Sequence, residues 1–363
     1  MKLTRRRLLR ATAGTTVAGA ISGCIGQNNG SSSQNNGSSS QNNAAPTIVH
    51  GSAPGAELTD YASMFRQSDH ILQEVMTNAG DTYESEVAMF GGSPQIVAGM
   101  SGGECDLGVF SPPSAASAAI EGTIDSGYSL IVPAKYQGVE NHFSDNLYTL
   151  SNGGLESPSD FEGATVAVQA YGSAVALIGR TSLKTAGVDI SKVTFREVEF
   201  GAMPAALREG RVDAATLIQP FVAMMGDEVS LIEGVRNPMG KFMELAIGGS
   251  VNFIEENESI VQDWLQDHWE ALQWWNNEDN HDQVISIAAE VTELDEALLD
   301  QILYTDQNYY LGWGGLKMDP HCYQIPISRL NELDYISEEV EIAQYMDNSY
   351  LSDVATESGI TCE

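Results

Sequence analysis

The sequence predicts an α/β protein with two similar lobes, each a sheet flanked by helices, and a ligand cleft between the lobes. Residues 163–221 alternate apolar runs of strand length with helical patterns, in the order βαβαβ. The segment 103–112 also lines up with 210–220, because in both a glycine ends a short helix and an aspartate precedes an apolar strand. Both strands end at a polar residue and proline. This short internal repeat favours two α/β units, although a repeat of this length also arises by chance at αβ turns.

The segment 163–221 is interpreted as three strands separated by two helices. Strands are predicted at 164–170, 193–198 and 212–218, and helices at 173–186 and 203–209. In open parallel sheets, ligands bind beyond the carboxyl ends of the strands, where helix N-termini present unpaired N–H groups. The ligand-facing residues predicted here are Tyr171, Gly172, Ser173, Gln219 and Phe221. The alternative interpretation is that these turns are only a helix cap and a chain reversal.

The first half of the chain contains similar turns. Strands are predicted at 48–51, 84–90, 128–135 and 147–150, with the last two at the edge of the first lobe. Ser93 and Ser111 are each expected to cap a helix that begins with proline. Helix N-termini that converge on one cleft favour a polar or anionic group there. The ligand-facing residues predicted in this half are Ser52, Ala53, Gly92, Ser93, Ser111, Pro112 and Lys135, the last as the cation near a strand end.

Tryptophans mark the last third of the sequence. Trp264, Trp269 and Trp275 fall within an amphipathic helical pattern that begins near Ile260, and they are expected in the core. Trp313 has glycine neighbours on both sides, which predicts a loop. It is therefore the remaining ligand-binding candidate.

Several of these segments resemble one known family. The phrase at 203–214, followed by Gln219, Pro220 and Phe221, resembles the signature of extracytoplasmic substrate-binding proteins of ABC importers in the nitrate, sulfonate, taurine and thiamine-pyrimidine group. Segments 90–94 and 103–108 resemble the first-lobe motifs of that family, and 347–354 resembles its C-terminal helix. The resemblance spans nearly all of 47–355 and implies a periplasmic-binding-protein-like fold of type II. The sequence departs from the family at 61–80, where an Ala-Gly-Phe-Phe type helix is usual.

The N-terminus is expected to be an export and anchoring segment. Residues 1–23 resemble a twin-arginine lipoprotein signal peptide, and Cys24 follows a sequence that resembles a lipoprotein-processing box. Residues 24–46 contain QNNGSSS repeats without apolar side chains, which predicts a disordered tether. The predicted location is the outer face of the cytoplasmic membrane, with a lipid on Cys24.

The charge balance indicates the environment and excludes one class of partner. The chain has 17 Lys and Arg against 50 Asp and Glu. Removal of the signal would leave 12 cations against 50 acids, a net charge of −38. Acidic residues dispersed over the surface are typical of adaptation to high salt, where repulsion is screened. So acidic a surface excludes nucleic acid as a partner.

The cysteines allow one disulfide, and the histidines indicate no metal site. Cys322 and Cys362 could pair outside the cell, whereas Cys105, at the start of a strand, is expected to be a buried apolar residue. The six histidines lack metal-ligand spacing, so neither a metal nor a cofactor is predicted.

The resemblance implies a solute receptor rather than an enzyme. A monomer would capture a small polar or anionic solute, such as a sulfonate, nitrate, taurine or a pyrimidine, and present it to an ABC permease and its ATPase. The alternatives are an enzyme on the same scaffold, like the pyrimidine synthases and an aromatic desulfinase, and a sensor domain. The first lobe is expected at 47–135, the second at 136–245, and a return to the first lobe with the C-terminal helices at 246–363.

Overall fold

The computed structural model describes residues 45–232, 237–312, 314–351 and 360–362, and these residues form two five-stranded sheets with helices on their faces. The strands are β1 (Thr47–Ser52), β2 (Glu84–Met89), β3 (Leu107–Phe110), β4 (Tyr128–Gln137), β5 (Asn146–Leu150), β6 (Thr165–Val168), β7 (Thr194–Glu197), β8 (Ala214–Leu217), β9 (Val229–Leu231) and β10 (Phe242–Ser250). The helices are α1 (Tyr61–Arg66), α2 (Ser93–Ser101), α3 (Pro112–Glu121), α4 (Ala174–Thr185), α5 (Met203–Arg208), α6 (Phe221–Met225), α7 (Val251–Glu256), α8 (Glu258–Trp275), α9 (His281–Thr292), α10 (Glu296–Ile302) and α11 (Pro320–Glu332).

The two sheets have the same topology. The first has the order β2-β1-β3-β10-β4, and the second has the order β7-β6-β8-β5-β9. In each, three parallel strands come from one continuous βαβαβ unit, and an antiparallel strand follows that enters from outside the unit. The predicted correspondence between the two halves is confirmed, since β3 and β8 occupy the same central position. We call the part around the first sheet the first lobe and the part around the second sheet the second lobe.

The repeated aspartate has the same structural role in both lobes. Asp106 accepts a hydrogen bond from the backbone N–H of Val49 at 2.8 Å, and Asp213 accepts one from Thr165 at 2.7 Å. Each aspartate therefore fixes the entrance of the first parallel strand against the third. This contact satisfies a strand-end N–H that the sheet leaves unpaired.

Two sequence predictions about elements are wrong. The strand predicted at 147–150 does not lie at the edge of the first lobe, because β5 pairs with β8 and β9 inside the second sheet. Residues 347–351, within the segment that resembles a C-terminal helix, form turn and bend, and 352–354 lie outside the described residues. Sheet membership depends on where the chain crosses between lobes, which local periodicity does not encode.

The core confirms the predictions made for tryptophan and cysteine. Trp264 and Trp275 on α8 are buried, and so is Cys105, whereas Trp269 is only partly buried and packs against the core. Cys322 on α11 forms a disulfide with Cys362, which attaches the end of the chain to the first lobe. The predicted signal peptide, the tether up to residue 44, Cys24 and Trp313 lie outside the described residues.

Surface charge leads to an expected dependence on salt. With 50 acids and 17 cations, most exposed carboxylates have no cation to pair with. The Debye length is about 3 Å in 1 M salt and about 10 Å in 0.1 M salt, so repulsion between carboxylates spreads over the surface on dilution. We expect the melting temperature to fall steeply from 2 M to 0.1 M KCl, as measured by circular dichroism. Sucrose in place of KCl is the control, and equal melting temperatures at both KCl concentrations would contradict the expectation.

Candidate functional site

A cavity lies between the two lobes, at the carboxyl ends of the parallel strands. It contains about 470 Å³ of space free of protein atoms, part of it open to solvent. The first lobe contributes the end of β1, the start of α2 and the middle of β4 and β10, and the second lobe contributes the start of α4 and the end of β8. The lining residues are Ser52, Ala53, Ala56, Thr59, Asp60, Gly92, Ser93, Ile96, Val109, Lys135, Gln169, Ser173, Ala174, Val175, Phe200, Ile218, Glu244 and Leu245.

A buried ion network forms one wall of the cavity. Lys135 Nζ lies 2.6 Å from Asp145 Oδ2 and 3.0 Å from Glu244 Oε2, and it sits 4.0 Å from the ring centre of Tyr309. Gln137 donates to Glu244 Oε2, and Tyr309 Oη donates to Asp145 Oδ1 at 2.5 Å. Lys135, Asp145 and Glu244 are each at most 2% exposed. The lysine is therefore the shared cationic partner of two carboxylates that water does not solvate.

Burial and charge act in opposite directions on this network. Burial opposes the charge of Lys135, but the Asp145 and Glu244 carboxylates outweigh burial and raise the pKa of the lysine. Burial raises the pKa of Glu244 to about 7, although Lys135 opposes that rise. Lys135 is therefore a cation at neutral pH, and Glu244 is the group in the cavity wall that changes charge there.

Asp60 forms a second polar wall with two partners from β1. His50 Nε2 lies 3.0 Å from Asp60 Oδ2, and Ser52 Oγ donates to the same oxygen at 2.7 Å. Burial opposes ionisation of Asp60, but the contacts with His50 and Ser52 outweigh it and lower the pKa of the carboxyl. The serine hydroxyl is thereby bound to a carboxylate whose lowered pKa makes it a weak base for activating a nucleophile.

The predicted ligand-facing residues separate into two groups. Ser52, Ala53, Gly92, Ser93, Lys135 and Ser173 line the cavity. The others do not: Ser111 caps α3 and Pro112 begins that helix, Tyr171 and Gly172 lie in a groove on another surface, and Gln219 and Phe221 lie behind the cavity wall. Tyr171 is 45% exposed, and its hydroxyl donates to Phe195 O, away from the cavity. Whether any of these residues contacts a ligand stays a prediction.

Ser93 is not the helix cap that the sequence predicts. Gly92 occupies the N-cap position of α2, and the Ser93 hydroxyl makes no hydrogen bond to the described residues. Ser173 does cap α4, since its Oγ accepts from the N–H of Ala176 at 3.3 Å. Ser111 also caps its helix as predicted, and its Oγ donates to Gly172 O across the lobes at 2.9 Å.

These two serines predict different effects on stability. Ser173→Ala should lower the free energy of unfolding by about 0.5–2 kcal/mol because it removes a cap. Ser93→Ala should change it by less than about 0.5 kcal/mol because no hydrogen bond is lost. Urea unfolding in molar KCl measures both, and an equal loss in the two variants would show that Ser93 does cap α2.

Sequence reasoning missed several lining residues. Asp60, Gln169, Phe200 and Glu244 were not among the predicted residues, although they supply much of the polar and aromatic surface of the cavity. Glu244 did carry a signal, since it is the only charged residue in the run Phe242–Ser250. Such a residue in a buried strand must be paired or functional. In the part of the chain that the structure describes, no cluster of three or more His, Cys, Asp or Glu residues could hold a metal ion, and no helix is long and apolar enough to span a membrane.

Comparisons with known proteins place the fold. The sequence model of the NMT1-like family matches residues 57–289, and no curated protein sequence matches the chain. The structure is similar to the alkanesulfonate-binding protein SsuA from Xanthomonas axonopodis pv. citri bound to MOPS, with TM-score 0.64, 16% identity and coverage of 84% of this chain and 98% of that chain. It is also similar to the periplasmic nitrate-binding protein NrtA from Synechocystis PCC 6803, with TM-score 0.65, 11% identity and coverage of 84% and 87%. The desulfurization enzyme DSZB is a further similar structure, with TM-score 0.54, 12% identity and coverage of 84% and 97%. These likenesses confirm the predicted two-lobed fold.

Proposed function

The chain belongs to the NMT1-like family, and from that premise we propose that it is an extracytoplasmic solute-binding protein that delivers a small polar solute to an ABC importer. The observation that carries the proposal is the cavity, because both lobes contribute walls to it and buried polar side chains point into it. A solute held there would favour the closed arrangement of the lobes through contacts that an open arrangement lacks. The candidates are a sulfonate, nitrate, taurine or a pyrimidine.

The experiment that tests this function is a thermal-shift screen of small solutes against the purified chain in molar KCl. A ligand present at 100 times its Kd should stabilise the protein by about 2.7 kcal/mol, which raises the melting temperature by several degrees. Calorimetry should then give one site per chain. Failure of every sulfonate, nitrate, amine and pyrimidine in the screen to raise the melting temperature would reject the proposal.

An enzyme on the same scaffold is the competing function. A desulfinase-like mechanism needs a reactive cysteine in the cleft, but Cys105 does not line the cavity and its Sγ lies 3.6 Å from Ile96 O. Burial raises the pKa of the Cys105 thiol to about 12, so the thiolate nucleophile is scarce at neutral pH. These features favour binding over catalysis for this chain.

We also propose the lipid anchor at Cys24 as part of this function. Cys24→Ala should move the protein from the membrane fraction to the soluble fraction of its host, since the lipid provides the attachment. Ser32→Ala, a nearby serine in the same polar segment, is the matched control and should stay in the membrane fraction. Retention of the Cys24→Ala variant after a high-salt wash would reject the anchor.

A further inference from the structure

The side-chain donors of the cavity are largely used by the protein itself. Lys135 Nζ is taken by Asp145, Glu244 and the face of the Tyr309 ring. With the exception of Ser93, each of the other donating side chains reaches a protein acceptor: Ser52 donates to Asp60, Thr59 to Ala56 O, Gln169 to Gly91 O and Ser173 to Ala170 O. A ligand with acceptor atoms alone would find the Ser93 hydroxyl and backbone N–H groups as its main donors. A bare anion therefore lacks a cationic partner in this cavity.

One charged acceptor remains available. Glu244 Oε2 receives the hydrogen bonds of Gln137 and Lys135, whereas Glu244 Oε1 makes no hydrogen bond to the described residues. The side chain of Glu244 is 2% exposed. Because Glu244 lines the cavity, that oxygen is positioned to accept from a solute. An unpaired buried carboxylate oxygen is costly unless a donor reaches it.

Building on the proposed function, we propose that the solute carries an N–H-donating nitrogen group, such as an ammonium, an amidinium or the amino group of a heterocycle, and that this group donates to Glu244 Oε1. No arginine lines the cavity among the residues that the structure describes, and its lysine is balanced by two carboxylates. Glu244 is then the residue that discriminates amine-bearing solutes from simple oxyanions such as nitrate. A hydrogen bond to a charged group is typically worth tenfold or more in affinity.

The ionisation of Glu244 provides an independent readout. The groups that face it are Lys135 and Asp145, with Tyr309 beyond them and Asp60 across the cavity. On its other sides, β3 contains no titratable side chain, and Tyr323 of α11 donates to Phe110 O instead. Since burial raises the pKa of Glu244 to about 7, its carboxylate form is populated above pH 7. Affinity for an ammonium solute should therefore rise between pH 6 and pH 8.

The experiment uses matched pairs of solutes that differ at one group. Taurine is compared with isethionate, where a hydroxyl replaces the ammonium, and 4-aminopyrimidine is compared with 4-methylpyrimidine, which has no N–H donor, with nitrate as the bare anion. Calorimetry in molar KCl is run on the wild type, on Glu244→Gln, and on Glu228→Gln, an exposed carboxylate paired with Arg208. We expect the amine member of at least one pair to bind tenfold or more tightly in the wild type and in Glu228→Gln. In Glu244→Gln the preference and its dependence on pH should disappear.

The outcomes separate this inference from the proposed function. In the wild type, binding of both isethionate and 4-methylpyrimidine at least as tight as that of their amine partners, or tighter binding of nitrate than of both amines, would overturn the amine requirement and leave solute binding intact. An amine preference that survives unchanged in folded Glu244→Gln would overturn the role of Glu244. The comparison of solutes on the wild type alone decides the amine requirement. That test therefore remains valid even where Glu244→Gln fails to fold. Absence of binding by all five solutes overturns the inference, and the broader screen then decides whether the proposed function falls with it.

Discussion

Replacement of Lys135 by methionine should destabilise the protein by about 3–5 kcal/mol, because it leaves Asp145 and Glu244 buried without their cation. Methionine has a similar length and fits a buried position, so the loss comes from the charge rather than from a cavity. The dependence on pH gives a second signature. The pKa of Glu244 is raised in the folded state, so its folded form binds more protons than the unfolded chain between about pH 4.5 and pH 7.

The stability that Glu244 contributes falls as the pH rises. Stability from this group is present below the unfolded pKa of Glu244 and is lost as the pH rises through the folded pKa. Without Lys135 the folded pKa should rise further, so the deficit of Lys135→Met should be smaller at pH 5 than at pH 8. Urea unfolding at both pH values in molar KCl measures it.

A surface lysine provides the matched control. Lys192 Nζ lies 2.9 Å from Glu162 Oε2, but both side chains are exposed. Lys192→Met should therefore lower stability by less than about 1 kcal/mol, with little dependence on pH. A loss in Lys135→Met as small as that in Lys192→Met would show that the buried carboxylates are solvated or protonated instead.

Replacement of Asp267 by alanine should destabilise the protein by on the order of 3–5 kcal/mol. The carboxylate lies buried on α8 and accepts from three successive backbone N–H groups, those of Thr77, Asn78 and Ala79, at 2.8–3.0 Å. It also accepts from the side chain of Asn78 and from Tyr83 Oη. Alanine leaves these donors without a partner in a buried environment, and each unpaired donor is destabilising.

The matched control is another aspartate of the same helix. Asp263 is partly exposed, and no hydrogen bond of its carboxylate to the described residues is present, so Asp263→Ala should change stability by less than about 0.5 kcal/mol. Urea unfolding compares the two variants, and hydrogen exchange should show faster exchange of the amides of 77–79 only in Asp267→Ala. Equal effects of the two substitutions would contradict a role of Asp267 in holding the backbone of residues 77–79. Residues 77–79 belong to the stretch 61–80, where the sequence departs from its family.

Much of each lobe followed from local pattern. The alternation of strands and helices and the caps Ser111 and Ser173 depend on neighbours close in sequence or on periodicity, and the structure confirms them. The sequence also allowed Cys322 to pair with Cys362, and the structure contains this disulfide.

The cavity was harder to predict from sequence. Ser93 was expected to cap its helix, but the preceding glycine takes that position, and a cap depends on backbone angles that residue type alone does not fix. Tyr171 was expected in the cleft because it follows a strand, yet its turn directs the ring outward toward Phe195. One residue of difference in a turn is sufficient to reverse which side a side chain faces.

By itself the sequence determined two repeated α/β units, their order along the chain and the family they belong to, because these depend on periodicity, turn residues and motif spacing. Only the tertiary structure decided that β5 enters the second sheet and that Glu244 meets Lys135 across 109 residues of sequence. A buried charge must find its partner wherever the folded chain brings one near, and that proximity arises from strand crossings between lobes. The same crossings determine which polar atoms remain free for a solute.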